Sequence, residues 1–87
     1  MSNLYLVHKQ IGKEALDLCR QDNDARVALL QDAVYMDAAG LAPAEVYALK
    51  WDVDHRGLTQ RILASVKLIS YHELVDLIVA NKVINLA

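Results

Sequence analysis

Phenylalanine is absent from this chain, cysteine and proline occur once each, and glycine only three times. Each shortage excludes something. One cysteine leaves no intrachain disulfide and no thiolate cage for a metal, which fits a reducing compartment. There is no Gly-rich phosphate loop, no zinc-ligand spacing and no Ser/His/Asp arrangement. No stretch approaches the roughly 20 apolar residues of a membrane span. The opening "MSNLYLVHKQ" holds only about five apolar-leaning residues before His8, too few for the apolar region of a signal peptide. An excess of one charge is missing too: nine basic and eleven acidic side chains are interspersed, for a formal charge of −2. Direct, strong RNA or DNA binding by this chain alone is therefore not expected. These absences predict a soluble, cytoplasmic protein with no metal and no cofactor.

What is present is apolar. Hydrophobic residues make up 55% of an 87-residue chain. A chain of this length predicts one domain, residues 1–87, with a modest interior. Part of that apolar content must then lie on the surface or in an interface, a first sign of oligomerisation.

The chain alternates short apolar runs with helical patterns. "NLYLVH" (3–8) has the length and composition of a strand. In "IGKEALDLCRQ" (11–21), Ile11, Ala15, Leu18 and Cys19 form the stripe of a helix. "RVALLQ" (26–31) is a second strand. "DAVYMDAAG" (32–40) reads as a short helix with Asp32 as N-cap and Gly40 as its stop. After "LAP", "AEVYALK" (44–50) is the third strand, and "DVDHRG" is one or two helical turns started by Asp52 and stopped by Gly57. "SVKLIS" (65–70) is the fourth apolar run. Ser70 and Glu73 form a capping box for the helix "YHELVDLIVANK" (71–82). The tail "VINLA" fits either a fifth, edge strand or a helix extension.

Strands apolar nearly throughout and separated by helices imply a parallel sheet covered on both faces. With right-handed crossovers this is an α/β fold, a three-layer α/β/α sandwich with a mostly parallel four- to five-stranded sheet. The C-terminal ends of parallel strands share one edge, where function gathers. His8 and Lys9, Gln31 and Asp32, Lys50, Trp51 and Asp52, and Ser70 and Tyr71 therefore converge on one rim.

Each rim residue also has a plainer explanation. Asp32 and Asp52 stand where a helix N-cap is wanted, worth about 1 kcal/mol. His8 fits a satisfied rim histidine as well as a base, and Lys50 fits a strand end in water. Trp51 either plugs the core or projects as an interface anchor. His55 and Arg56 complement the dipole at a helix end. Asp52 and Asp54 point to different sides of a helix and make a poor acid/base pair. Cys19 lies about two turns into the first helix, some 10 Å or more from the strand ends at about 1.5 Å rise per residue. Its place on the apolar stripe fits a buried, inert thiol.

Three landmarks, "ALLQDAVY", "VYALKWDVDHRGL" and "LISYHELVDLI", occur in an order and spacing that resembles the DsrH/TusB family, the smallest subunit type of the DsrEFH/TusBCD sulfur-relay proteins. The resemblance extends over nearly the whole chain, and the middle motif is its most specific part. It implies an α/β/α sandwich, as read above. It further implies a non-catalytic or accessory subunit of a sulfurtransferase complex. That complex is a heterohexamer with DsrE/TusD-like and DsrF/TusC-like chains, two copies of each. In the TusBCD branch it passes persulfide sulfur from TusA to TusE during 2-thiolation of wobble uridine in tRNA. In the DsrEFH branch it serves dissimilatory sulfur oxidation. The resemblance places the sulfur-carrying cysteine on the DsrE/TusD-type subunit. Some DsrH members have a cysteine in the first helix, where Cys19 stands, and TusB members generally lack it, so Cys19 leans the assignment towards the DsrH branch. Ala33 departs from the family's usual glycine, and would strain the turn if that position has positive φ.

The resemblance makes "KWDVDHRGL" an assembly-facing rim, with His8, Gln31, Asp32, Lys50, Trp51, Asp52, Arg56 and Tyr71 as its binding residues. Two alternatives stand beside it. Cys19 could itself accept a persulfide, given an accessible thiol of lowered pKa with Arg20 as the adjacent cation. The chain could instead be a free-standing small-ligand module using the rim.

Overall fold

A computed structural model of the chain describes residues 2–9, 13–35, 41, 45–58 and 66–86. Five strands form one sheet in the order β4-β3-β2-β1-β5. They are β1 (Asn3–Val7), β2 (Ala25–Leu29), β3 (Glu45–Leu49), β4 (Lys67–Ile69) and β5 (Lys82–Asn85). Every pairing is parallel. The helices are α1 (Lys13–Gln21), α2 (Lys50–His55) and α3 (Tyr71–Ala80), with a short 3-10 helix, Gln31–Tyr35, after β2. This is the expected α/β fold, and the tail takes its strand form, pairing with β1.

Strand order explains how the elements are distributed. From β1 to β4 the chain advances one strand at a time in one direction, so equal-handed crossovers put the connecting elements on one face. There, Cys19 of α1, Ala33 and Val34 of the 3-10 helix and Val53 of α2 pack with Tyr5, Val7, Val27, Leu29 and Ala48. The step from β4 to β5 runs back across the sheet and carries α3 over the other face. Leu74 there packs with Leu4, Ala28, Leu49 and Ile69. The central strand β2 buries Val27, Ala28 and Leu29 together, which is why its sequence is apolar without alternation.

Several local expectations change. Leu18, placed by periodicity on the buried stripe of α1, is 52% exposed; Cys19 takes the inward position. Asp32 does not cap a helix: it is the second residue of the 3-10 helix, and its carboxylate accepts from Arg56. The helix expected over 32–40 is seen as far as Tyr35; Gly40 lies outside the described residues, as do Ile11 and most of "LAP". Nor does Asp52 start its helix. α2 begins at Lys50 behind Leu49, which offers no side-chain cap, so Asp52 falls in the first turn.

Other signals are met in full. Ser70 Oγ accepts from the Glu73 N–H while Glu73 reaches back to the Ser70 N–H, a complete capping box. At the far end of α2, Gly57 has φ +67°. Its N–H donates to the Asp54 carbonyl, and the Leu58 N–H to that of Val53. Those two bonds make a Schellman motif, and the buried Leu58 supplies its apolar contact. The "RGL" triplet is thus a helix stop.

Candidate functional site

At the carboxyl ends of the strands lies a cleft of about 390 Å³. Leu30, Leu49 and Leu74 line it together with Trp51, His55 and Tyr71, and His8, Gln31, Asp52 and Arg56 complete it. Six of the eight rim residues read from the sequence thus line one cleft: His8, Gln31, Trp51, Asp52, Arg56 and Tyr71. Lys50 and Asp32 do not. Lys50 is exposed on the first turn of α2, and Asp32 reaches the cleft only through Arg56.

The framework of the cleft is a charge network around a buried carboxylate. Asp52 is 4% exposed. Its Oδ2 accepts the Gln31 backbone N–H at 2.8 Å, and its Oδ1 accepts Arg56 Nη1 at 3.2 Å. Arg56 also donates through Nε to Asp32 Oδ1, and Nη2 lies 3.2 Å from the same oxygen. The arginine therefore ties the 3-10 helix to α2 and neutralises Asp52, the one buried acid among the described residues. Among the described residues every buried side-chain nitrogen or oxygen has a partner.

Gln31 carries the strain in this arrangement. Its φ is +51°, the left-handed region that non-glycine residues seldom adopt. The chain turns there because the Asp52 carboxylate accepts the Gln31 N–H in that conformation and the Leu30 N–H donates to the Val7 carbonyl just before it. The expectation of strain at Ala33 is corrected. Ala33 is fully buried on the 3-10 helix, and the positive φ lies two residues earlier.

Trp51 and His55, one helical turn apart on α2, stack with ring centroids 4.6 Å apart and planes 10° from parallel. Trp51 remains 54% exposed and Tyr71, across the cleft, 57%. Trp51 thus projects and does not plug the core. The carboxylates of Asp52 and Asp54 diverge, one buried and the other exposed. Among the described residues no group of three or more His, Cys, Asp or Glu is placed to hold a metal, and no helix is long and apolar enough to cross a membrane.

Cys19 is remote from this chemistry. It is fully buried on the α1 face of the sheet, and burial pushes its thiol pKa up, with Asp22 adding to the effect. A persulfide acceptor needs the reverse, an exposed thiol of lowered pKa. Sequence reading missed His55 and the leucine floor as cleft residues. The signal was available: His55 stands four residues after Trp51, Leu30 and Leu49 close their apolar runs, and Leu74 stands four after the capping serine.

A buried carboxylate, a strained turn and two exposed aromatics make a shaped surface, and comparison with known proteins gives that surface its context. Residues 10–84 match the family described as DsrH like protein. The chain belongs to the DsrH-like family. It is also similar to Protein TusB of Cronobacter sakazakii (strain ATCC BAA-894), with 45% identity over 55 residues. That alignment covers 63% of this chain and 58% of the relative, so the match spans less than two thirds of the relative's length. Most of the cleft comes from segments inside the span of the family match; only His8 precedes it.

Proposed function

We propose that this DsrH-like chain is an accessory, non-catalytic subunit of a sulfur-relay complex, and that the transferred sulfur is carried by its partners. The observation that carries the reading is the family match over 10–84, in a chain whose one cysteine is wholly buried. The expected partners are DsrE/TusD-like and DsrF/TusC-like chains in a heterohexamer. The similarity to Protein TusB supports the tRNA wobble-uridine branch. Cys19 stands where some DsrH members carry a cysteine and so leans towards the sulfur-oxidising branch, while its burial on the α1 face argues against a carrier role there.

The test is capture of the tagged chain from native lysate, with the complex sized by light scattering, beside assay of tRNA from a deletion strain. The expected result is recovery of DsrE- and DsrF-like chains in equal amounts and loss of wobble 2-thiouridine, restored equally by the wild type and Cys19→Ser. A lone chain in lysate that contains those partners would overturn the subunit reading. Intact 2-thiouridine would overturn the branch.

A further inference from the structure

Two aromatic side chains reach the cleft from opposite faces of the sheet. Trp51 belongs to α2, whose Val53 packs with Cys19 and Val27. Tyr71 opens α3, whose Leu74 packs on the other face. Both rings are more than half exposed, and both line the same space of about 390 Å³. That volume lies within the roughly 300–1,000 Å³ of small-molecule sites. Its position, outside the carboxyl ends of parallel strands, is where such sites gather. The strained Gln31 turn belongs to the lining, and backbone strain collects at binding sites.

The lining selects the chemistry of the occupant. His55 stacks on one face of the Trp51 indole, 4.6 Å away and 10° from parallel, which fixes the plane of that ring and leaves its other face open. A flat ring laid on the open face continues the pile in the offset stacking that aromatic groups prefer. Leu30, Leu49 and Leu74 give it an apolar floor. Charge in the lining is already matched. Both carboxylate oxygens of Asp52 accept donors, and Arg56 is divided between Asp52 and Asp32, so no counter-charge is left for an anion or a cation. Hydrogen-bonding capacity is not matched. Among the described residues the His8 imidazole and the Tyr71 hydroxyl have no hydrogen-bond partner, and Gln31 is exposed in the same lining. An imidazole, a hydroxyl and an amide present both donors and acceptors. A ring with an apolar edge would strip water from these groups and give nothing back, whereas a heterocycle with polar edge atoms replaces that water.

We propose that the cleft binds a neutral planar heterocycle whose edge carries both donors and acceptors, with its face on Trp51 and its edge towards His8, Gln31 and Tyr71. His55 is a positioning residue that holds the indole for this contact. The site stands whether or not the chain is a relay subunit.

Trp51 is the only tryptophan, so its indole N–H gives a single resonance in a proton–nitrogen correlation spectrum of the full chain. The test titrates that spectrum with three probes: adenosine, adenosine monophosphate and indole. Adenosine is expected to move the Trp51 indole and Gln31 side-chain resonances saturably, with a half-point below about 1 mM. Indole keeps the flat ring but has one donor and no acceptor on its edge, and should bind about ten-fold more weakly; the monophosphate, which adds charge, should also bind more weakly. In calorimetry with adenosine, Trp51→Leu and Tyr71→Leu should each weaken binding about ten-fold, while Val79→Ser, outside the lining, leaves it unchanged. His55→Ala should weaken binding about three-fold, and His55→Phe, which restores a stacking ring, should recover it. The wild-type titration is decisive without any variant. No saturable movement with adenosine overturns the site. Indole binding as well as adenosine overturns recognition of the edge, and tighter binding of the monophosphate overturns the neutral class. Wild-type affinity in Trp51→Leu places the ligand elsewhere and overturns the stacking.

Discussion

The backbone N–H of Gln31 and the carboxylate of Asp52 meet at 2.8 Å across 21 residues of chain, joining the end of one central strand to the helix that follows the next. Removing the acceptor leaves the Gln31 N–H without its partner and takes from Arg56 the contact of Nη1 with Oδ1. Asp52→Ala is expected to destabilise the protein by about 3 kcal/mol. Asp52→Asn, which keeps a carbonyl oxygen, should cost about half as much. Urea denaturation of the two variants gives the comparison, and equal losses would show that charge dominates over hydrogen bonding.

Gln31 itself offers the opposite sign. A left-handed residue with a Cβ costs about 1–2 kcal/mol, while glycine's extra chain entropy costs about 0.5–1 kcal/mol. Gln31→Gly should therefore stabilise by about 0.5–1 kcal/mol, seen as a higher thermal midpoint. A lower midpoint would mean that the glutamine side chain contributes more than its backbone costs.

Gly57→Ala is expected to destabilise by about 1 kcal/mol, for the same reason reversed. No heavy atom lies within 4 Å of a Cβ built there, so the loss is conformational and not steric. Arg56→Lys separates the two halves of the "RG" pair. It keeps the charge but not the forked reach to Asp32 and Asp52, and its loss should vanish in an Asp32→Asn/Asp52→Asn background.

At the amino-terminal edge of the sheet Tyr5 donates its hydroxyl to Asp22, which also accepts from Asn3 and from the Asp24 N–H. Burial, then the hydrogen bond to Asp22, raises the Tyr5 pKa to about 12. The hydrogen bond from Asn3, then that from Tyr5, lowers the Asp22 pKa. The signs give two limbs. The Tyr5 contribution is complete below its ordinary value near 10 and is lost as pH rises towards about 12. The Asp22 contribution is complete above the ordinary carboxylate value and is lost as pH falls through the lowered one. Tyr5→Phe should flatten the alkaline limb of a stability–pH profile and Asp22→Asn the acid limb. Tyrosinate absorbance appearing for Tyr5 near pH 10 would contradict the arrangement.

Much of this architecture can be read from the sequence because the responsible forces are local. Apolar runs mark the strands, and the Ser70–Glu73 box starts α3 within four residues. Convergence of His8, Gln31, Trp51 and Tyr71 follows from parallel strands alone. What escapes is decided at long range. Asp32 and Asp52 look like caps because capping rules see three or four neighbours, whereas Asp32 answers to Arg56, 24 residues away, and Asp52 to the Gln31 N–H, 21 residues away. Leu18 fits a buried stripe by spacing, yet only one side of α1 meets the sheet, and Cys19 occupies it. The strain at Gln31 has no signal in residue type, since its cause lies in another segment.

The return of α3 across the sheet also sets a timetable for assembly. β1 pairs with β2 through residues 22 positions apart, Asn3 with Ala25, but with β5 through residues 79 apart, Asn3 with Lys82. Closing the longer loop costs about 1 kcal/mol more in chain entropy. It is also impossible until β5 has been synthesised. During translation, then, one flank of an early strand waits for the last one. The interval is set by how quickly β4 and α3 emerge and dock, which makes that step the natural point for a chaperone or a waiting subunit to act.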